Sequence, residues 1–293
     1  MEVYIIYSAL VLVGLCLGSF AGATVWRLRA RQLQEDKLAG ERVDTKEYQR
    51  LQELTKYRGA KDRSRCLHCH HELAWYDLVP LVSWLSLGGK CRYCRTPIGY
   101  FEPLIEVAVA VFFVVSYVLW PVPVEGVADV TRFVLWLLAG TGLAILFSYD
   151  LKWFLLPDRV MLPVIGLSTI FAVLTIVHAS DIVGATVNCL TAVAILSGLY
   201  FIVYILSRGA WIGFGDIKLG LALALLLDDW KLAFLALFAA NLIGCLIVIP
   251  GLVSHKISRQ SHIAFGPLLI AGFLVVAFWG NSVITWYMTS LGI

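Results

Sequence analysis

Residues 131–150 read TRFVLWLLAGTGLAILFSYD, an almost unbroken apolar run that ends in Asp150. A helix of this length can cross about 30 Å of hydrocarbon. The sequence contains eight candidate spans, at residues 3–26, 103–120, 131–149, 160–178, 182–206, 217–227, 232–253 and 264–288. The sixth is short, and we expect it to tilt, to thin the bilayer locally or to begin before Asp216. The predicted fold class is therefore an all-α polytopic membrane protein with about eight transmembrane helices.

The composition supports the same class. Hydrophobic residues make up 60% of the chain and charged residues only 15%, whereas a soluble domain typically carries about 25% charged residues. The net charge of +3 is small, and nothing in its distribution indicates a nucleic-acid partner. The composition thus excludes an ordinary soluble domain.

The positions of the charges predict an orientation in the membrane. Of the 23 lysines and arginines, 15 lie between Arg27 and Arg95, whereas the loops around residues 125–129, 179–181 and 228–229 are short and acidic. Basic loops face the cytoplasm, so the first span is expected to end there. With eight spans, both termini are then expected to face outward. No basic residue precedes the first apolar run, which favours a retained helix over a cleaved signal peptide.

These spans divide the chain into three predicted parts. Residues 1–28 form the first transmembrane helix, residues 29–102 a cytoplasmic region, and residues 103–293 the remaining membrane domain. Within the cytoplasmic region, residues 29–65 are rich in charges of both signs. Leu51, Leu54 and Tyr57 recur there at nearly helical spacing, which predicts a solvated and mostly helical extension.

Four cysteines in the cytoplasmic region form two CxxC pairs separated by 21 residues: Cys66, Cys69, Cys91 and Cys94. This spacing is typical of a structural Zn²⁺ site with four thiolate ligands. The cytosol is reducing, so disulfides are disfavoured, and the alternative is a set of unliganded or redox-active thiols. His68, His70 and His71 are potential ligands, but four cysteines already complete the coordination shell. We therefore expect these histidines to face solvent.

Two aspartates are candidates for catalysis. Asp150 ends the third apolar run, and Asp216 follows Gly213-Phe214-Gly215 at the start of the sixth, on the same predicted side of the membrane. Two carboxylates held close together share one proton, and the pair can then act as general base and general acid. The simpler alternative is that each aspartate caps a helix or pairs with Lys152 or Lys218. For Asp158 we expect a helix N-cap.

Several motifs together resemble one known family. GxGD at a membrane helix, with an upstream aspartate, resembles the intramembrane GxGD aspartyl proteases, and the added CxxC pairs resemble the bacterial type IV prepilin peptidases. The matching stretches cover nearly the whole chain: residues 18–20, 63–66, 75–80, 89–94, 103–106, 149–150, 156–158, 213–219 and 265–267. The chain departs from the family pattern at Gly22, at Phe101-Glu102 and in an apparent insertion at residues 30–62.

The resemblance implies a specific activity. Enzymes of this family remove the short basic leader from type IV prepilins and pseudopilins at the cytoplasmic face of the bacterial inner membrane. Many then methylate the new N-terminal amine with S-adenosylmethionine. The resemblance implies that Asp150 and Asp216 are the catalytic pair and that the four cysteines bind structural zinc; it assigns no residue to the methyl donor.

Three alternatives remain open from the sequence. The chain could be a protease without methyltransferase activity, or a transporter or channel in which the carboxylates relay protons or cations. A transporter would predict paired half-repeats, and the sequence shows none. The third alternative is a zinc-dependent membrane scaffold without catalysis.

Overall fold

The computed structural model describes residues 2–56, 62–121, 124–253 and 263–291, and these are almost entirely helical. Within these ranges no β-strand forms, and seven helices are long and apolar enough to cross a membrane. The all-α polytopic membrane fold is therefore confirmed. The chain divides into two compact units, Met1–Val118 and Leu119–Ile293.

In the first unit, a long helix packs along a second one. Helix α1 (Glu2–Leu38) contacts helix α4 (Phe101–Val118) over much of its length. Small residues allow this approach: a Cβ atom at Gly18 would lie 2.5 Å from the Cα atom of Glu106, and one at Gly14 would lie 2.6 Å from that of Ala110. Glycine at the contact lets helix backbones come close in a membrane.

The charged extension is helical, as predicted, but it is not fully solvated. Helix α1 continues ten residues beyond position 28, and helix α2 (Thr45–Leu51) leads into a 3₁₀ turn, Gln52–Thr55. Leu51 is completely buried and packs with Ala30 and Leu33 of α1 in a small separate core. The extension therefore folds back onto α1 because its few apolar residues find partners there. Tyr57 lies outside the described residues.

The cysteine region is compact and has little regular structure. It contains a 3₁₀ turn at Trp75–Asp77, the short helix α3 (Val82–Ser86) and two isolated β-bridges. The bridges join Arg65 to Glu72 and Lys90 to Pro97, one beside each CxxC pair.

The second unit is a helical bundle. Its elements are α5 (Val127–Trp153), α6 (Asp158–Val177), α7 (Ile182–Val193), a π-helical segment (Ala194–Gly198), α8 (Leu199–Ser207), α9 (Phe214–Leu227), α10 (Trp230–Val253) and α11 (Phe265–Ser290). The π segment lies inside one span that runs from Ile182 to Ser207. Such insertions within a helix are frequent at functional sites.

The short sixth span is the central helix of this bundle. Helix α9 begins at Phe214, before Asp216, and has 14 residues, about 21 Å of helix, so it does not qualify among the seven long spans. It contacts α6, α7, α8, α10, α11 and the π segment, and most of its residues from Ile217 onward are buried. Neighbouring helices surround α9, so its length need not match the thickness of the lipid.

Candidate active site and metal centre

The four predicted cysteines come together. Their sulfur atoms all lie within 4.8 Å of one another, and the Sγ atoms of Cys66 and Cys94 are 3.9 Å apart. Four sulfurs bound tetrahedrally to zinc at about 2.3 Å would be about 3.8 Å apart. The cluster therefore has the size and donor chemistry of a site that could hold a metal ion.

The two CxxC turns have the same backbone design. The amide of His70 donates to the carbonyl of Cys66, and that of Arg95 donates to the carbonyl of Cys91, each at 3.0 Å. His70 and Arg95 both have positive φ angles, 59° and 58°. Each turn thus reverses the chain directly after its second cysteine and directs two thiols to one point.

The thiols differ in their electrostatic surroundings. Burial raises the pKa of the Cys66 and Cys91 thiols. Hydrogen bonds with the side chain and backbone of Thr96 lower the pKa of Cys94 to about 6. At neutral pH Cys94 therefore favours the thiolate, the form that binds a metal.

A buried carboxylate fixes the second CxxC turn. Asp77 accepts hydrogen bonds from Arg92 Nε at 2.7 Å, from the Tyr93 hydroxyl at 3.0 Å and from the Ala74 amide at 3.2 Å. Burial alone would raise the pKa of Asp77, but these hydrogen bonds outweigh it and hold the pKa below its usual value. The histidines lie outside the thiol cluster; His68 and His71 are exposed, and the ring of His71 stacks on Tyr93.

Asp150 lies near the C-terminal end of α5, and its side chain points into the second unit. The residue is only 5% exposed. Its Oδ2 atom accepts a hydrogen bond from the amide of Gly266, at 3.0 Å, and Gly266 belongs to the first turn of α11. A carboxylate at the N-terminus of a helix is stabilised by the amide dipoles there.

Asp216 has a related environment. It lies in the first turn of α9, is partly buried, and accepts a hydrogen bond from the amide of Gly213 at 3.3 Å. A purely capping aspartate would make the same contact, so this bond alone does not distinguish a catalytic role. The carboxylates of Asp150 and Asp216 are also close enough for their charges to interact, which the capping role does not require.

Leu156 lies between the two helix starts. A Cβ atom at Gly215 would lie 3.0 Å from the Cβ of Leu156, and one at Gly266 would lie 3.5 Å from its Cδ2. Helix α6, which follows this leucine, contacts both α5 and α9. The loop before α6 therefore connects the surroundings of the two carboxylates.

The predicted role of Asp158 needs correction. Helix α6 begins at Asp158, with Pro157 as its N-cap, so the N-cap assignment of Asp158 is wrong. Its carboxylate instead accepts two hydrogen bonds from Lys218 Nζ, at 2.7 and 2.8 Å. Proline lacks an amide hydrogen and suits the start of a helix, so Pro157 ends the loop before α6. The carboxylate of Asp158 is then available to pair with Lys218.

Comparison with known proteins identifies the family. Residues 12–120 match the bacterial peptidase A24 N-terminal domain, and residues 136–249 match the type IV leader peptidase family. The chain is 30% identical over 291 residues to the prepilin leader peptidase/N-methyltransferase of Aeromonas hydrophila, with 98% of this chain and 95% of that protein covered. The chain belongs to the type IV leader peptidase family. The resemblance found in the sequence is thereby confirmed.

Other relatives in this family carry the same name. The protein from Pseudomonas putida is 31% identical over 296 residues, with 99% of this chain and 96% of the relative covered. The protein from Pseudomonas aeruginosa is 27% identical over 284 residues, with 96% and 93% covered. No solved structure matches the chain. The four cysteines fall in the segment that matches the N-terminal domain, and Asp150 and Asp216 fall in the one that matches the leader peptidase family.

Sequence patterns assign no role to two residues that lie beside the aspartates. Gly266 and Leu156 stand in motifs that match the family, but their contacts with the aspartate surroundings involve residues distant in the chain. Gly266 is 116 positions from Asp150, so periodicity and local spacing carry no signal for the contact. The glycine-proline pair at the start of the last apolar run is the one hint that the sequence offers.

Proposed function

We propose that this chain is a membrane aspartyl endopeptidase that removes the leader of type IV prepilins or pseudopilins and then N-methylates the new N-terminus. The observation that carries the proteolytic part is the pair of carboxylates on α5 and α9. The carboxylates of Asp150 and Asp216 each lie at a helix N-terminus and are close enough to interact electrostatically. Lys218 bonds to Asp158, which argues against Lys218 serving only to neutralise Asp216.

The proposed chemistry follows from proton sharing. With one proton between the two carboxylates, the ionised one removes a proton from water, and the resulting oxygen attacks the scissile carbonyl. The protonated one donates its proton to the leaving amine. Water attacks directly, so no acyl-enzyme forms. The amides of Gly266 and Gly213 keep the two side chains in position throughout.

The decisive experiment replaces each aspartate by asparagine and follows leader removal from a prepilin in membranes by gel shift. D150N and D216N should each cleave about a thousandfold more slowly, because acid–base groups contribute roughly 10²–10⁴ in rate. D158N is the matched control and should stay within about threefold of the parent, since its pair with Lys218 is exposed and such pairs contribute little. Retained cleavage in either D150N or D216N would refute the assignment.

We further propose that Cys66, Cys69, Cys91 and Cys94 bind one structural zinc ion. The four thiols fit a closed tetrahedral shell without an open position for catalysis. Elemental analysis of the purified enzyme should give about one zinc per chain, reduced in C66S. An equal zinc content in the parent and C66S would contradict this site.

Methyl transfer would use S-adenosylmethionine, which supplies an activated methyl group to the new amine. The names of the relatives from Aeromonas hydrophila and Pseudomonas putida, which include the methyltransferase activity, support this part of the proposal. The alternative is a protease without methylation, and the mass of the mature pilin N-terminus distinguishes the two. An added methyl group supports the bifunctional enzyme, and its absence in the presence of the donor contradicts it.

For the location, we propose a bacterial inner-membrane protein with residues 29–102 in the cytoplasm and the protease in residues 103–293. The concentration of basic residues between Arg27 and Arg95 supports this orientation. Substrate binding fits the same picture: the apolar helix of a prepilin would lie in the bilayer, and its basic leader would stay on the cytoplasmic side.

A further inference from the structure

The segment between the two CxxC pairs contains an apolar run that neither proposed activity uses. Residues 78–89 read LVPLVSWLSLGG and carry no charge, between Asp77 and Lys90. Apolar runs of about 10–14 residues are too short to cross a membrane, and they are typical either of core helices or of segments that dip into the bilayer from one side. The run contains α3, and the exposure of its side chains distinguishes these two cases.

Helix α3 has an inner and an outer face. Ser83 and Trp84 lie on the inner face and line a cavity that they share with Phe20 of α1. Val82 and Leu85 do not line this cavity, and each is 61% exposed. A core helix would bury both of these side chains within the protein, so the run belongs to the second case.

The start of α3 lies beside the membrane-spanning part of the first unit. The amide of Leu81 donates a hydrogen bond to Glu106 Oε2 at 2.7 Å, and the backbone of Glu106 packs against Gly18 of α1. Gly18 precedes Arg27, the first basic residue of the chain, by about 14 Å of helix. Helix α3 therefore starts alongside the apolar part of α1 and not above it in the cytoplasm.

Hydrogen bonds of two carboxylates on α4 accompany this placement. Glu106 is 6% exposed, and a carboxylate within an apolar span usually has a partner or a function; here the Leu81 amide is a partner. Leu81 has a φ angle of 59°, which is costly for a leucine and persists only where its surroundings enforce it. One turn closer to the cytoplasm, Trp26 Nε1 donates to Glu102 Oε1 at 2.9 Å. The position of α3 beside α4 is thus fixed by specific contacts.

The backbone of the run suits an apolar medium. The amides of Ser83, Leu85 and Leu87 donate to carbonyls four residues earlier, at distances of 2.9 to 3.2 Å. The indole Nε1 of Trp84 donates to the carbonyl of Gly99 at 2.8 Å. Polar groups that enter hydrocarbon must find their hydrogen bonds within the protein, and these groups do so.

The outer face of α3 adjoins a stripe of exposed side chains on and just before α4. Tyr100, Leu104, Val107 and Val111 recur at helical spacing and are 40% to 71% exposed, whereas the opposite face of α4 packs on α1. The ring of Tyr100 lies 5.4 Å from that of Trp84, so the stripe reaches α3. Tyrosine and tryptophan concentrate at the membrane interface, and lipid that covers the stripe would also reach the outer face of α3.

A prepilin is the other candidate for this face, and the charges favour lipid. The basic leader of a prepilin would need acidic partners, but residues 78–89 include no acidic residue. The neighbouring Asp77 pairs with Arg92, and Glu102 and Glu106 are hydrogen-bonded within the first unit. An uncharged face of this kind fits the boundary between headgroups and acyl chains.

We propose that residues 78–89 form a re-entrant segment, which enters the bilayer from the cytoplasmic side with Val82 and Leu85 against lipid acyl chains. The proposal requires that α1 and α4 span the membrane, and it depends on neither catalytic activity. Its consequence is that the cysteine region is held at the membrane surface, the level at which the leader is proposed to be cut.

Photolabelling of the parent enzyme tests this contact without a variant. The full-length enzyme is placed in lipid nanodiscs whose phosphatidylcholine carries a diazirine in the upper part of its acyl chain, and mass spectrometry locates the label after illumination. Leu104 is 66% exposed and serves as the reference. Because interfacial segments bury their apolar face about 5–10 Å deep, Val82 or Leu85 should be labelled to within about threefold of Leu104. Label at Leu104 without label in residues 78–89 would overturn the proposal.

A fluorescent amino acid encoded at position 85 then shows what covers the outer face. The matched control carries it at position 38, where Leu38 is 81% exposed at the end of α1. In nanodiscs, brominated lipid should quench position 85 and not position 38, and iodide in the water should do the reverse. Quenching of position 85 by iodide alone would place it in water, and quenching by neither would mean that protein covers it; either result contradicts the lipid contact.

The same measurement with an added prepilin separates lipid from substrate. Quenching of position 85 by brominated lipid should persist when the prepilin is bound. Protection of position 85 by the prepilin would make this face a substrate site and overturn the proposal. Since the readout is fluorescence and not cleavage, an inactive enzyme would refute the proposed function without affecting this test.

Discussion

The backbone amide of Gly266 donates a hydrogen bond to the carboxylate of Asp150 and leaves little room beside it. A Cβ atom at Gly266 would lie 2.6 Å from Asp150 Oδ2, closer than such atoms approach in proteins. We therefore expect G266A to displace the carboxylate and to slow leader cleavage by about 10- to 100-fold, since small misplacements of reacting groups have effects of that order. Initial cleavage rates in membranes measure this directly.

A second glycine in the same unit provides the control. Gly166 lies in α6, and a Cβ atom there would meet nothing within 4 Å. G166A should cleave at the parental rate, because alanine is also the better helix former. Equal rates for G266A and the parent would mean that the amide contact does not hold Asp150 in its working position.

For single residues, the sequence predicts a role only where the partners of the residue lie nearby in the chain. The CxxC spacing places two thiols on each turn, so the four cysteines can be grouped from the sequence alone. The position of Asp216 in a GxGD turn is likewise visible. The Trp26–Glu102 contact is not, because it joins residues 76 positions apart, and no periodicity links an indole on α1 to a carboxylate on α4.

At the level of secondary-structure elements, the contact between α2 and α1 leads to the next prediction. Leu51 is completely buried against Ala30 and Leu33, and truncating a buried leucine costs about 2–5 kcal/mol, with small cores near the lower end. L51A should therefore release the extension from α1. Limited proteolysis should cut between residues 39 and 56 at least about tenfold faster than in the parent, since a loss of about 1.4 kcal/mol is a tenfold change in the open population.

The same substitution at an exposed leucine is the control for this prediction. Leu38 is 81% exposed at the end of α1, so L38A should be cut at the parental rate. If L51A and L38A behave alike, the small core does not hold the extension. The spacing of apolar residues predicted a helix here, but it could not name the surface on which that helix packs. Most of the extension is at least partly exposed, as expected, and only its few apolar residues are buried.

The same limit explains the short helix α9. Each of the seven long spans is apolar over a length that matches the hydrocarbon thickness by itself, so hydropathy identifies these spans from the sequence. Helix α9 is enclosed by other helices, so its length is set by packing; Gly220, for example, lies so close to the π segment that a Cβ atom there would be 2.5 Å from the Leu196 carbonyl oxygen. Contacts of this kind depend on the whole bundle and cannot be derived from one segment.

For the whole molecule, the distribution of charge makes the last prediction. The span from Ile182 to Ser207 is long enough to cross the membrane once, so its two ends should lie on opposite sides. Asp181 adjoins the first end, and Arg208 follows the second, which places the second end in the cytoplasm. In a chain whose Cys16, Cys189 and Cys245 are replaced by serine, S180C should react with a membrane-impermeant maleimide added to spheroplasts, in which the outer face of the inner membrane is accessible.

In the same background, S207C should react only after the membrane is permeabilised. The reverse pattern would place the start of α9, and Asp216 with it, on the outer side, where the basic leader of a prepilin would not meet it. The orientation proposed from the loops would then be wrong, whichever residues prove to be catalytic. The labelling pattern therefore tests whether the carboxylate pair and the basic leader lie on the same side of the membrane, on which the whole proposed reaction depends.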